Sequence, residues 1–234
     1  MDFNFEQEMV YGKKHVNILN GFGNDNDYDF RPYACECFNI ENLDETHTLG
    51  YKYDLFKEFG IDTQTWYHNT FYNYLKGTKG KEMQDLYEKM IKEIILPYLG
   101  LNEALVQTFP SFRIQLPENI AVAKKHHDHL LGHPIGEINF TYSFTKMYDT
   151  NTIWIEKMPR MEEYVPIIMK ENQVCSFNAN LCDHYNKLNK TGKTRMSMDF
   201  RILPLNYYNE NNVKTSCSIN TKFCDGGYYK LIKI

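Results

Sequence analysis

Long apolar runs are missing from this sequence of 234 residues, and so is any strong excess of one charge. No stretch approaches the roughly 20 apolar residues of a membrane-spanning helix. Met1-Asp2-Phe3-Asn4-Phe5 has neither the basic start nor the apolar centre of a signal peptide. A soluble, intracellular, cytoplasmic protein is therefore expected. With 26 basic against 30 acidic residues the net charge is −4, too mild for a nucleic-acid footprint or a polybasic membrane patch. Cys35, Cys37, Cys175, Cys182, Cys217 and Cys224 show neither the paired spacing of a zinc site nor the density of a disulfide framework. Reduced, mostly buried thiols are predicted.

What is abundant is aromatic residues, with 18 Tyr and 15 Phe, and the length fits one domain with a substantial core. Residues 1–110 read as a partly helical support, 111–208 as a β-rich core and 209–234 as a C-terminal extension. In the support, Asp25, Asp27, Asp29 and Glu36 imitate calcium-loop spacing, but Phe30 stands where that loop needs Gly, so a solvated acidic loop is expected. Asp62 or Thr63 can cap a helix through Trp66, Phe71 and Leu75 that stops at Gly77. A second helix from about Glu82 carries Met83, Leu86, Met90, Ile91 and Ile94 at helical spacing and ends at Pro97. Trp66, Phe71 and Met90 read as a stripe that packs on a sheet.

From Phe112 the texture becomes short and alternating. Segments 112–116, 137–144, 152–156 and 173–177 read as strands, and Trp154 is assigned to the core. The clearest pattern puts Arg195, Ser197, Asp199 and Arg201 on one face of a strand and Met196, Met198, Phe200 and Ile202 on the other. An apolar face can pack on a core while the polar face looks into a cavity. Several such antiparallel strands predict an α+β, mainly β fold: a double-stranded β-helix, the jelly-roll of cupins, buttressed by N-terminal helices.

Chemistry concentrates between His126 and Arg201. In an extended segment residues two apart share a side, so His126 and Asp128 can meet one ion while His127 points away. His184 can supply a third ligand from a distant strand. Two histidines and one carboxylate on one side of a metal leave the opposite positions open, as non-haem Fe(II) sites require. His127 and His129 also share a face, so a His-x-His site of a different metal-dependent cupin stays open on this reading. A guanidinium fork at Arg195 suits a planar carboxylate, and Ser197 can add a hydroxyl. Asn139 can orient a ligand, touch a bound cosubstrate or simply make a hydrogen bond within the barrel; Arg113 and Gln115 can meet substrate or satisfy buried backbone. Arg201 and Asp199 are expected to neutralise one another.

His126-x-Asp128, His184 and Arg195-x-Ser197 resemble the signature of the Fe(II)/2-oxoglutarate-dependent oxygenases. More narrowly, the run His126-x-Asp128 to Gly132-His133-Pro134-x-Gly136-Glu137-Ile138-Asn139, with His184-x-x-Asn186-x-x-Asn189-x-Thr191-Gly192-x-Thr194-Arg195-x-Ser197-x-Asp199-Phe200-Arg201, resembles the StrG-like hydroxylases associated with streptomycin biosynthesis. The resemblance spans roughly residues 112–208. It implies Fe(II) on His126, Asp128 and His184, with 2-oxoglutarate held by Arg195, Ser197 and Asn139, and O2 as oxidant. It further implies a small polar substrate, a sugar or aminocyclitol derivative, and no nucleic-acid or membrane partner. A carboxylate at Asp128 implies hydroxylation, since related halogenases carry a small residue there. The competing readings are a cupin enzyme that does not use 2-oxoglutarate and a catalytically silent binding protein on the same barrel.

Overall fold

The chain is described from a computed structural model, over residues 16–19, 26–51, 64–121, 124–216 and 220–234. Its strands are β1 (Val16–Ile18), β2 (Glu103–Gln107), β3 (Ser111–Gln115), β4 (Ile138–Ser143), β5 (Ile153–Glu156), β6 (Tyr164–Pro166), β7 (Val174–Phe177), β8 (His184–Asn186), β9 (Arg195–Pro204) and β10 (Tyr229–Lys233). Seven of them form one antiparallel sheet in the order β1-β7-β4-β9-β2-β10, with β3 also paired to β9. A second sheet has the order β6-β5-β8. The main sheet takes strands from both sides of the boundaries drawn at residues 110 and 209: β2 precedes the first, and β10, from the expected C-terminal extension, pairs with β2.

The period-two pattern of β9 decides what each face of the main sheet meets. Met196, Met198, Phe200 and Ile202 are buried together with Phe112, Ile114, Phe140, Tyr142 and Phe144 in one large apolar cluster. Helices α1 (Arg31–Phe38), α2 (Trp66–Tyr74) and α3 (Thr78–Met90) close over this face. Phe71 of α2 stacks on Phe112 of β3 at 4.3 Å between ring centroids, and Phe140 stacks on Phe200 at 5.2 Å. Rings in such contact bury large areas, which is where the abundant aromatics are spent.

Helix boundaries differ from the sequence reading for local reasons. Thr65 caps α2 by accepting from the His68 backbone N–H, whereas Asp62 and Thr63 lie outside the described residues. Gly77 does not stop α2, which ends at Tyr74; it is the cap of α3. Beyond α3 the chain continues through a π-helical turn, Ile91–Ile95, into Leu96–Tyr98, so Pro97 lies inside the final turn and Gly100, at φ +66, follows it. Of the predicted stripe, Phe71 and Met90 are buried, but Trp66 is 37% exposed and stacks on Tyr51 at 3.6 Å. Among the described residues no helix is long and apolar enough to cross a membrane.

The opposite face of the main sheet is mixed. At the β7 end Cys175 and Phe177 pack with Ile153 and Ile155 of the small sheet. At the β2 end Leu105 and Leu203 pack with Phe223, Tyr228 and Tyr229. Between these apolar patches β4 and β9 present Asn139, Thr141, Arg195, Ser197, Asp199 and Arg201. Trp154 is not core: it lies half-buried on the small sheet, with Lys187 Nζ 3.2 Å from its ring centroid.

Candidate metal centre

A β-bridge brings the two distant histidines together. His126 N–H donates to His184 O at 3.1 Å and His184 N–H donates to His126 O at 2.8 Å, a directly opposed antiparallel pair. Their side chains consequently project to one side, with ring centroids 4.4 Å apart. His127 is extended at φ −118, ψ 148, which turns its ring away to Asp183 (Nδ1–Oδ1 2.8 Å) and returns Asp128 to the side of His126. Asp128 opens a short 3-10 turn, Asp128–Leu131, anchored by its N–H to Ala179 O at 2.8 Å.

Asp128 Oδ1 lies 3.8 Å from His126 Nε2 and 3.8 Å from His184 Nε2. These three atoms form a group compact enough to hold one ion. Both imidazoles are oriented by main chain: His126 Nδ1 bonds Lys124 O at 3.0 Å and His184 Nδ1 bonds Cys182 O at 3.3 Å. A carbonyl only accepts, so each Nδ1 carries the proton and each Nε2 keeps a lone pair facing Asp128. Burial, with the neighbouring His184, pushes the His126 imidazole down to about 4, and burial likewise lowers His184. Burial opposes ionisation of Asp128, but the Arg201 guanidinium, with His133, His184 and His126 nearby, holds its carboxyl well below the usual carboxylate range. Neutral imidazoles beside a carboxylate are the protonation states a divalent cation needs. On this observation the donor set fits Fe(II).

The remaining oxygen of Asp128 is fully engaged. Oδ2 accepts from Arg201 Nε at 3.0 Å, Arg201 Nη2 at 2.7 Å and Asn139 Nδ2 at 2.8 Å. Asn139 therefore stands against the carboxylate. The expected pairing of Arg201 with Asp199 is not found: Asp199 Oδ2 is held by Arg113 Nε at 3.1 Å, and Arg201 has turned to Asp128. The cause is register, since Arg201 lies opposite Asn139 on β4 while Asp199 lies opposite Ser111 on β3, two residues from Arg113 and on the same face. Arg195, buried, donates from Nη1 to Ser197 Oγ at 2.8 Å. Gln115, opposite Arg195 on β3, satisfies buried backbone through Nε2 at Asn119 O and Lys187 O.

A cavity of about 40 Å³ joins these groups, with His126, Asp128, His184, Arg195 and Arg201 all on its wall. A larger one, about 350 Å³, lies between residues 129–135 and 206–214 and touches none of the predicted ligands; size alone does not mark the chemistry here. The rival pair is divided: His129 Nδ1 bonds His133 O at 2.8 Å and faces the larger cavity, and His127 holds Asp183. Sequence reasoning missed Glu137 and His133 as a buried pair (2.7 Å) and missed Tyr229, whose hydroxyl donates to Glu137 at 2.5 Å. Glu137 shares strand parity with Asn139, the one signal that placed it inward.

No family model matches this chain. It is 31% identical over 173 residues to the streptomycin biosynthesis protein StrG of Streptomyces griseus, a match spanning 73% of this chain and 78% of that relative. Among solved structures, the apo form of the non-haem monooxygenase ThoJ superposes with a TM-score of 0.52 at 10% identity, over 96% of this chain and 85% of that one. SnoK, a non-haem α-ketoglutarate-dependent carbocyclase from nogalamycin biosynthesis, gives 0.52 at 12% identity over 87% and 84%. At such identities the likeness is one of fold.

Proposed function

The chain belongs to the StrG-like family of the Fe(II)/2-oxoglutarate-dependent oxygenases, and on that premise we propose that it hydroxylates a small polar metabolite at a His126, Asp128, His184 iron centre. The observation that carries the reading is the convergence of two tautomer-fixed Nε2 atoms and Asp128 Oδ1 on one point. His126, Asp128 and His184 would hold the metal, and Arg195 with Ser197 would hold the far carboxylate of the keto acid by a charge-assisted fork. Asn139 serves the cosubstrate indirectly, by orienting Asp128. When bound, Fe(II) with 2-oxoglutarate and O2 supplies oxidation of an unactivated C–H bond coupled to decarboxylation of the keto acid.

The protein's share is orientation and exclusion of water: the centre lies between two sheets, which together form a double-stranded β-helix, with residues 1–234 as one oxygenase domain. A sugar or aminocyclitol derivative is the substrate class, a reading supported by kinship to a protein named for streptomycin biosynthesis. The described cysteines are free, as suits the cytoplasm. Anaerobic titration of the Fe(II)-loaded protein with 2-oxoglutarate tests the proposal. A weak visible charge-transfer band is expected, absent in His184→Ala; iron binding without such a band would favour a cupin enzyme that does not use 2-oxoglutarate. A protein that binds no metal would be a silent binding protein.

A further inference from the structure

The two oxygens of Asp128 have different environments. Oδ1 faces both imidazoles at 3.8 Å, while Oδ2 carries the donors from Arg201 and Asn139. Arg201 is itself fixed from behind: Nη1 donates to Gln107 Oε1 at 3.2 Å and to the Tyr228 hydroxyl at 3.1 Å. Its Nε also lies 3.8 Å from Glu137 Oε2. Glu137 is pinned in turn by the Tyr229 hydroxyl at 2.5 Å and His133 Nδ1 at 2.7 Å. Every member of this network is buried.

Asp128, His133 and Glu137 also form a compact group of potential ligands, which invites a second metal ion. The guanidinium already supplies positive charge at that place, bonded to Asp128 and next to Glu137. A cation added there would face Arg201 across a short, poorly screened distance.

We infer that Arg201 is a positioning residue that confines Asp128 to one ligating oxygen, and that the strand pair β2–β10, through Gln107, Tyr229 and the adjoining Tyr228, holds Arg201 in place. The inference rests on the metal-centre reading above. Its chemical sense is a count of positions: on an octahedral ion two histidines and a one-oxygen carboxylate would leave three of six sites for other ligands, whereas a two-oxygen carboxylate would leave two.

The test uses Co(II) as probe, titrated anaerobically into the metal-free protein, with affinity and the ligand-field absorption bands as readouts. Band intensity reports coordination number, which a purely structural role for Arg201 would leave unchanged. Arg201→Met is expected to weaken Co(II) binding on the order of 10–100-fold and to alter the bands. Arg201→Lys, which keeps the charge without the fork, is expected to fall between it and the wild type. Tyr228→Phe, milder and chosen in case Arg201→Met does not fold, is expected to lose about 5-fold in affinity, the worth of one hydrogen bond. Wild-type affinity and bands in both Arg201→Met and Tyr228→Phe overturn the inference while leaving the metal centre standing. A wild-type protein that binds no Co(II), or a His184→Ala variant that binds it equally well, removes the metal centre itself and the inference with it.

Discussion

Asp128→Ala, at a proposed metal ligand, is expected to destabilise the protein even when no metal is bound. Arg201 and Asp128 approach to 2.7 Å with side chains only 9% and 3% exposed, so solvent screens little of their interaction. Truncating Asp128 leaves a buried guanidinium whose nearest remaining carboxylate is Glu137 at 3.8 Å, and removes the acceptor of one Asn139 amide bond as well. Breaking such a pair costs about 3–5 kcal/mol. For a chain of this size that is a fall in melting temperature of about 6–20 °C. His126→Ala removes a hydrogen bond to a backbone carbonyl and a 3.8 Å approach to Asp128 that is longer than the Arg201 pair, so a smaller loss of ~1–2 kcal/mol is expected. The assay is chemical or thermal denaturation in the presence of chelator, so that metal binding contributes nothing. Adding Arg201→Met to Asp128→Ala should recover part of the loss, with a coupling energy of about 2 kcal/mol or more. A metal-free Asp128→Ala protein that melts within about 2 °C of wild type would refute the reasoning.

Arg195→Lys keeps the buried charge but not the fork that reaches Ser197, and is expected to weaken 2-oxoglutarate binding by roughly 10–100-fold with Co(II) affinity unchanged; equal loss of both would assign Arg195 to the metal site. Gly136→Ala places a Cβ 2.3 Å from the Tyr207 ring at a backbone φ of +89, so destabilisation of about 3 kcal/mol or more should appear in urea denaturation. The pH dependence follows from His126, whose folded value near 4 lies below its usual 6.5. The unfolded chain then binds the extra proton, so the stability contribution is fully present above pH 6.5 and is lost as pH falls towards 4. A metal-free protein that became more stable across that window would contradict the neutral, buried imidazole.

Strand β9 was legible because alternation needs no partner: each of Met196, Met198, Phe200 and Ile202 is buried among the helices, and Arg195, Asp199 and Arg201 line the cavity. The proposed ligand set rests likewise on His126-x-Asp128 parity, and the bridge accounts for the nearness of His184. What the sequence could not carry was register. Arg201 and Asp199 stand roughly 6–7 Å apart along one strand, and nothing in their order shows that Arg113 and Asp128 lie nearer across the sheets. The C-terminal segment was opaque for the same reason, because Tyr228 and Tyr229 gain meaning only from the pairing of β10 with β2. Trp66 and Trp154 show the limit of hydrophobicity as a guide: each uses its face at the surface, one on Tyr51 and one under Lys187.

The order of strands in the main sheet bears on how the molecule is made. Among the described residues no two strands paired in that sheet are consecutive in the chain, so its assembly is dominated by distant contacts, which slows folding. The links around Asp128 span 73 residues to Arg201, and Glu137 waits for Tyr229 across 92. At ribosomal speeds that second interval lasts roughly 5–20 s. Throughout it the carboxylates of a nascent chain stand without the strand that secures them, and the network around Asp128 is complete once residue 229 has emerged and docked.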